Sequence, residues 1–152
     1  MATIQAFSPT GLVMNLADPL GINFTPDNDP ISATATSVVV RTVDGGTLNI
    51  GGSGFGGFGT DSNSDLLGTV TDVARFNTDG SAQFSISGLN VALRTVGEIT
   101  DSDQTSNYGL TLFSAIGTEA DVVNGADGQA DVLFSFNGND TVRGFGGNDL
   151  IR

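Results

Sequence analysis

Residues 136–152 read FNGNDTVRGFGGNDLIR, in which a Gly-Asn-Asp phrase occurs twice, at residues 138–140 and 147–149. The phrase closes a series of aspartates spaced 10, 9 and 9 residues apart, each followed two positions later by an apolar residue. A turn and a short strand repeated at this period are typical of a parallel β-roll. The aspartates are Asp121, Asp131, Asp140 and Asp149, and the apolar residues are Val123, Leu133, Val142 and Ile151.

The chemistry of the repeat accounts for its residues. Glycine permits a tight turn whose carbonyls point inward, and aspartate adds a carboxylate to that turn. The apolar residue belongs to a short strand and points into a narrow core between two sheets. Since two repeats make one coil, Asp131 and Asp149 are predicted on one edge of the roll, and Asp121 and Asp140 on the other. A calcium ion then fits between stacked turns on each edge.

Residues 117–152 resemble the calcium-binding nonapeptide repeats of the RTX family, G-G-x-G-x-D-x-U-x. Residues 144–152 fit this repeat with Phe145 in place of the second glycine, and residues 135–143 fit it with both leading glycines replaced. The two earlier repeats are less regular, because one has an extra residue after Gly128 and the first lacks its glycine.

The resemblance implies an extracellular bacterial protein that is exported by type I secretion and ordered by calcium after export. It assigns the metal ligands to Asp121, Asp127, Asp131, Asn137, Asp140, Gly144, Gly146 and Asp149. Family arrays are usually longer and carry a capping and secretion segment after the repeats. Here a fragment of a larger protein, or a roll end covered by a neighbouring molecule, is therefore expected. The alternative interpretation is a Gly-Asn-Asp-rich hairpin without metal.

Composition narrows the partners of the chain. Its formal net charge is −12, with 17 acidic residues against five arginines. Such a surface disfavours nucleic acid and anionic membranes, and no stretch is long and apolar enough to insert into a bilayer, so cations are the expected partners. The absence of cysteine and histidine removes disulfides, thiol chemistry and imidazole metal sites.

The same composition argues against an enzyme. RTX zinc proteases and serine lipases both need a histidine, which the chain lacks. The sequence GGSGF at residues 51–55 has Phe55 where a nucleophile elbow needs glycine, and no carboxylate pair is singled out for glycoside hydrolysis. We therefore expect a non-catalytic protein.

Two further motifs are weak. GFGGFG at residues 54–59 spells G-x-G-x-x-G, but no helical pattern follows it, so a glycine loop with Phe55 and Phe58 at a core edge is favoured over a nucleotide site. DSNSD at residues 61–65 begins like an EF-hand loop, but Leu66 stands where glycine is required. A solvated turn is favoured there, and an isolated calcium site is the alternative.

Residues 1–116 are predicted to form an all-β domain, an antiparallel sandwich or irregular roll, with the parallel roll following at residues 117–152. Period-two alternation and Asp-Gly turns between apolar runs carry this prediction, and no segment shows a capped helical period. Long loops are expected at residues 18–30 and 101–107. The predicted strands are residues 11–16, 37–43, 47–50, 69–76, 82–87, 89–94 and 109–113.

Together these features predict a non-catalytic, extracellular calcium-binding protein with a structural role in a surface layer, matrix or fibre. Exposed β edges and the open roll end would join subunits into a homo-oligomer or fibre. The alternative is an adhesin or carbohydrate-binding module, or a targeting domain, cut from a larger RTX protein.

Overall fold

The computed structural model describes residues 1–7, 30–42, 45–58, 65–96, 120–135 and 137–152. Within these ranges the chain forms ten β-strands and a single helical turn at residues 93–96. The strands are β1 (Thr3–Ala6), β2 (Ser32–Ala33), β3 (Ser37–Arg41), β4 (Thr47–Gly56), β5 (Leu67–Phe76), β6 (Ala82–Ala92), β7 (Val122–Asn124), β8 (Val132–Leu133), β9 (Thr141–Arg143) and β10 (Leu150–Ile151). The prediction of an all-β protein is confirmed.

Eight of the described strands form one mixed sheet in the order β2-β3-β4-β5-β6-β1-β7-β9. The pairs from β2 to β6 are antiparallel, as is the pair of β6 with β1. Strand β1 then pairs in parallel with β7, and β7 pairs in parallel with β9. The N-terminal strand therefore joins the antiparallel part of the sheet to the parallel repeats.

One row of facing residues crosses all eight strands. It consists of Ala33, Val38, Ile50, Val73, Ile86, Ile4, Val123 and Val142. The six residues from Val38 to Val123 in this row are buried. Burying one such side chain fully stabilises the folded state by about 1.5–3 kcal/mol, so this row is a major part of the hydrophobic core. The core thus runs without interruption from the antiparallel strands into the repeats.

The remaining two strands, β8 and β10, pair in parallel as a second sheet. Leu133 on β8 is fully buried and belongs to the same core cluster as Val123 on β7. The repeats therefore form a two-sheet roll, with β7 and β9 on one side and β8 and β10 on the other, as the nine-residue spacing predicts.

The strands of the antiparallel part differ from the prediction in several places. Strands β1 and β2 lie where the sequence predicts no strand. Residues 82–92 form one strand rather than two, because Gly88 takes a φ of +77° and continues the strand through an irregular register. Residues 93–94, which the prediction places in the second strand, lie in the helical turn. Strand β4 extends beyond Ile50 through the glycine-rich residues 51–56, where Phe55 is buried and Phe58 packs against the core. This confirms the expected place of the two phenylalanines, although the first three residues of GFGGFG lie in a strand and not in a loop.

Several sequence predictions lie wholly or largely outside the described residues. They are the strands at residues 11–16 and 109–113, the loops at residues 18–30 and 101–107, the domain boundary at residues 116/117, and the DSNSD turn. Within the described part of the chain, no helix has the length and apolar content needed to cross a lipid bilayer.

Candidate metal centre

Parallel pairing stacks the repeats with their aspartates in register. Val122 on β7 faces Thr141 on β9, so that Asp121 and Asp140, which directly precede them, lie on the same edge of the roll. Val132 on β8 likewise faces Leu150 on β10, which places Asp131 beside Asp149 on the other edge. The two predicted aspartate pairs, 19 and 18 residues apart, are therefore brought together as the repeat spacing requires.

Hydrogen bonds between the two coils stabilise this register. The backbone N–H of Asp121 donates to Oδ1 of Asp140 over 2.9 Å, and the N–H of Asp131 donates to Oδ1 of Asp149 over 3.1 Å. Each carboxylate of the second coil thus accepts from the backbone of the first coil. Hydrogen bonds to an ionised acceptor are stronger than neutral ones, so the aspartates hold the coils together as well as offering oxygen ligands.

Ala2 occupies the position that a preceding aspartate would take. Its N–H donates to Oδ1 of Asp121 over 2.7 Å, and its carbonyl accepts from the N–H of Val122 over 3.0 Å. Thr3 and Ile4 then pair with Val122 and Val123. The N-terminal strand therefore serves as the coil before the first repeat. Sequence reasoning missed this role, because the stretch has neither the aspartate nor the glycine of a repeat.

The carboxylate of Asp121 is left half satisfied. Asp121 is buried, with 3% of its surface exposed, and its Oδ2 has no hydrogen-bond partner among the residues that the structure describes. The other buried aspartate of the described roll, Asp131, differs because its Oδ2 accepts from the N–H of Ala126 over 2.9 Å. A buried carboxylate oxygen without a partner is costly unless a cation or a proton matches it. Among the described aspartates of the roll, Asp121 is therefore the one whose carboxylate would gain most from a bound cation.

Glycines let backbone oxygens and carboxylates approach closely on the Asp131 edge. A Cβ atom on Gly125 would lie 2.5 Å from Oδ2 of Asp131 and 2.9 Å from the carbonyl oxygen of Gly144. A Cβ atom on Gly144 would collide with the carboxylate of Asp149. Any side chain at these two positions would fill the space around the oxygens. Gly125 and Gly144 therefore form a glycine cradle, by which we mean a space in which oxygen atoms of the kind that hard cations prefer lie close together.

The turn at residues 144–148 stacks on the turn at residues 126–130. A Cβ atom on Gly146 would lie 3.3 Å from Oδ1 of Asp127, which brings these two predicted ligands to one level of the stack. Gly147 has a φ of +132° and sits against the carbonyl of Gln129. Gly144, Gly146 and Asp127 therefore share an edge with Asp131 and Asp149.

The opposite edge carries Asp121 and Asp140, with Asn137 exposed in the turn before Asp140. Among the residues that the structure describes, no group of three acidic side chains is close enough together to hold a metal ion. A cation on either edge would therefore need other oxygens, such as backbone carbonyls or side-chain amides, beside one or two carboxylates. Calcium is a cation that accepts such a mixture of oxygens.

Comparison with known proteins adds no relative, since no family model, no curated protein and no solved structure matches this chain.

Proposed function

We propose that this chain is a non-catalytic calcium-binding protein of the bacterial cell surface or exterior, in which calcium orders the roll of residues 120–152. Its role is structural, in a layer, matrix or other assembly. The observation that carries the proposal is the buried Oδ2 of Asp121, which has no hydrogen-bond partner within the described ranges and lies at the edge of a stack whose aspartates recur in register. The repeat spacing and the glycine cradle on the opposite edge support it.

The ligand chemistry favours calcium over other metals. The described candidates are carboxylate, amide and carbonyl oxygens, which hard cations prefer, and the chain has no cysteine or histidine for softer metals. Magnesium requires near-ideal octahedral geometry at short distances, whereas calcium takes six to eight oxygens in a flexible shell. A turn lined with backbone carbonyls and one or two carboxylates meets the second requirement.

Calcium binding would be coupled to the order of the roll. The strands β7 to β10 have only two or three residues each, and their aspartates stack in like-charged pairs. In a chain of net charge −12, this repulsion opposes the coil until a cation offsets it. Extracellular calcium modules bind with dissociation constants of about 10⁻⁴ to 10⁻³ M, so the roll would stay loose in the cytoplasm and set outside the cell.

The test is a calcium titration of wild type and Asp121→Asn, followed by calorimetry and circular dichroism. Asparagine keeps the Oδ1 that accepts from Ala2 and replaces the unpartnered oxygen. We expect calcium affinity to fall at least about tenfold, because one charged ligand is lost. In EGTA the free energy of unfolding should change by less than about 1 kcal/mol, because the change removes an unpaired buried charge.

The control variant is Asp72→Asn, since Asp72 is an exposed carboxylate on β5 that accepts only from its neighbour Thr71 among the hydrogen bonds described. It should bind calcium like wild type. A double variant, Asp140→Ala with Asp149→Ala, should abolish the calcium-induced gain in strand content. If strand content ignores both calcium and these substitutions, the proposal is wrong.

A further inference from the structure

The last coil carries a charge pattern that the coil before it lacks. Strand β9 follows Asp140 and ends at Arg143, and strand β10 follows Asp149 and precedes Arg152. Each strand of this coil therefore has a negative start and a positive end. In the preceding coil the positions of the two arginines hold Asn124 and Phe134.

The same coil has no net formal charge and exposes several large apolar side chains. Its two aspartates and two arginines cancel, so the whole formal charge of −12 lies in the rest of the chain. Three of the seven large apolar side chains exposed in the described residues lie within its last eight residues. They are Phe145, Leu150 and Ile151, which are 59%, 44% and 50% exposed. The rest of the molecule is acidic, so two copies repel each other least when they meet through the surface of this last coil.

The strand order restricts how copies can meet. Among the described strands, β9 and β10 lie at the ends of their sheets, with a free edge each. At the other end of the roll, β8 also lies at the end of its sheet, but β7 is covered by β1, which is itself covered by β6. A head-to-tail stack would need that covered edge of β7. It would also set Arg143 against Asn124 of the next copy, as Arg143 now donates to Asn124 of its own chain over 3.4 Å, so the arginine would meet no opposite charge.

A two-fold axis perpendicular to the stack resolves both difficulties. Such an axis makes every strand antiparallel to the strand that it faces in the second copy, whether β9 meets β9 or β10. The Asp end of each strand then meets the Arg end of its partner. Opposite charges across an antiparallel pair stabilise it, whereas parallel pairing of two last coils would set Arg against Arg.

We infer that the last coil, residues 137–152, is the interface at which two copies of this chain join end to end as a closed two-fold dimer. This inference rests on the self-assembling role proposed above and replaces an open fibre by a dimer at this surface. The strands involved have three and two residues, so the interface buries less than about 1,200 Å² and the dimer depends on concentration.

The test is sedimentation equilibrium of the full chain in calcium, with charge-reversed variants. Arg143→Glu with Arg152→Glu makes both strand ends negative, and we expect dimerisation to weaken at least about tenfold, because four attractive contacts become repulsive. Arg41→Glu with Arg94→Glu is the matched control, since it gives the same formal charge, −12 changed by −4, at exposed positions outside the roll. The control should dimerise like wild type.

A conservative variant separates association from folding. Arg143→Lys with Arg152→Lys keeps the charges and should keep the dimer, and calcium-dependent circular dichroism should show that the roll still forms in all variants. A wild type that stays monomeric at every concentration, or two charge-reversed variants that weaken association equally, would overturn the inference. A calcium-ordered monomer would refute the dimer alone, and a dimer that forms equally in EGTA, with no calcium binding, would refute the calcium role alone.

Discussion

At the residue scale, Phe145 occupies a backbone conformation that favours glycine. Its φ is +63°, the only positive value at a non-glycine residue in the described chain, and it stands where the repeat has its second glycine. The left-handed region costs most residues about 1–2 kcal/mol, and asparagine adopts it more readily. Phe145→Asn should therefore raise the free energy of unfolding by about 0.5–1 kcal/mol, as measured by urea denaturation in saturating calcium. Phe7→Asn, at another exposed phenylalanine, should give no such gain, and a loss at position 145 at protein concentrations where the chain is monomeric would show that the ring itself stabilises the turn.

The candidate site shows at the same scale what a sequence can and cannot reveal. Spacing alone predicts that Asp121 pairs with Asp140 and Asp131 with Asp149, because a repeat of nearly constant length imposes its own register. It does not reveal that Oδ2 of Asp131 is matched by a backbone N–H while Oδ2 of Asp121 is not. The match at Asp131 depends on how the preceding turn folds, because that turn points the N–H of Ala126 at the carboxylate.

At the scale of the element, β1 is the strand that both parts of the molecule share. Ile4 is fully buried and pairs with Ile86 on β6 and Val123 on β7. Ile4→Ala should lower the free energy of unfolding by about 2–5 kcal/mol, since it leaves a cavity at this junction. Because the cavity also loosens β7, calcium affinity should fall in the same variant, as measured by calorimetry.

Ile31→Ala provides the control for that experiment, since Ile31 is half exposed outside the roll and should change stability by no more than about 0.5 kcal/mol. An Ile4→Ala protein that loses stability but binds calcium like wild type would mean that the roll orders independently of β1.

The strands divide into those that local pattern reveals and those that it does not. Phe84 and Ile86 alternate with polar residues, and this period-two signal locates β6 directly. Residues 51–56 contain four glycines, which disfavour a strand locally. They extend β4 because Gly51 and Gly52 leave room for the carboxylate of Asp72 and the ring of Phe55. Strand β1 has four residues and a partner more than a hundred positions away, so its pairing with β7 lies beyond any local pattern.

At the scale of the whole molecule, the two parts of the shared sheet differ in how strongly their own strand pairing stabilises them. Strands β4, β5 and β6 have 10, 10 and 11 residues and are held by long antiparallel pairing, interrupted by a few register shifts, around buried aliphatic side chains. The roll has strands of two or three residues and depends on stacked carboxylates. A cation that offsets the charge of the stack therefore stabilises one end of the sheet much more than the other.

Calcium removal should expose this difference in hydrogen exchange measured by mass spectrometry. In EGTA, peptides that cover residues 120–152 should lose protection at least about tenfold, because local opening of the roll is no longer opposed by bound metal. Peptides from β4 to β6 should keep theirs, and β1 should keep most of its protection through its antiparallel pairing with β6. Magnesium in place of calcium should not restore the roll, which separates a specific site from general screening of the acidic charge. If all peptides lose protection together, the calcium-dependent unit is the whole sheet, and if none does, calcium does not order the roll.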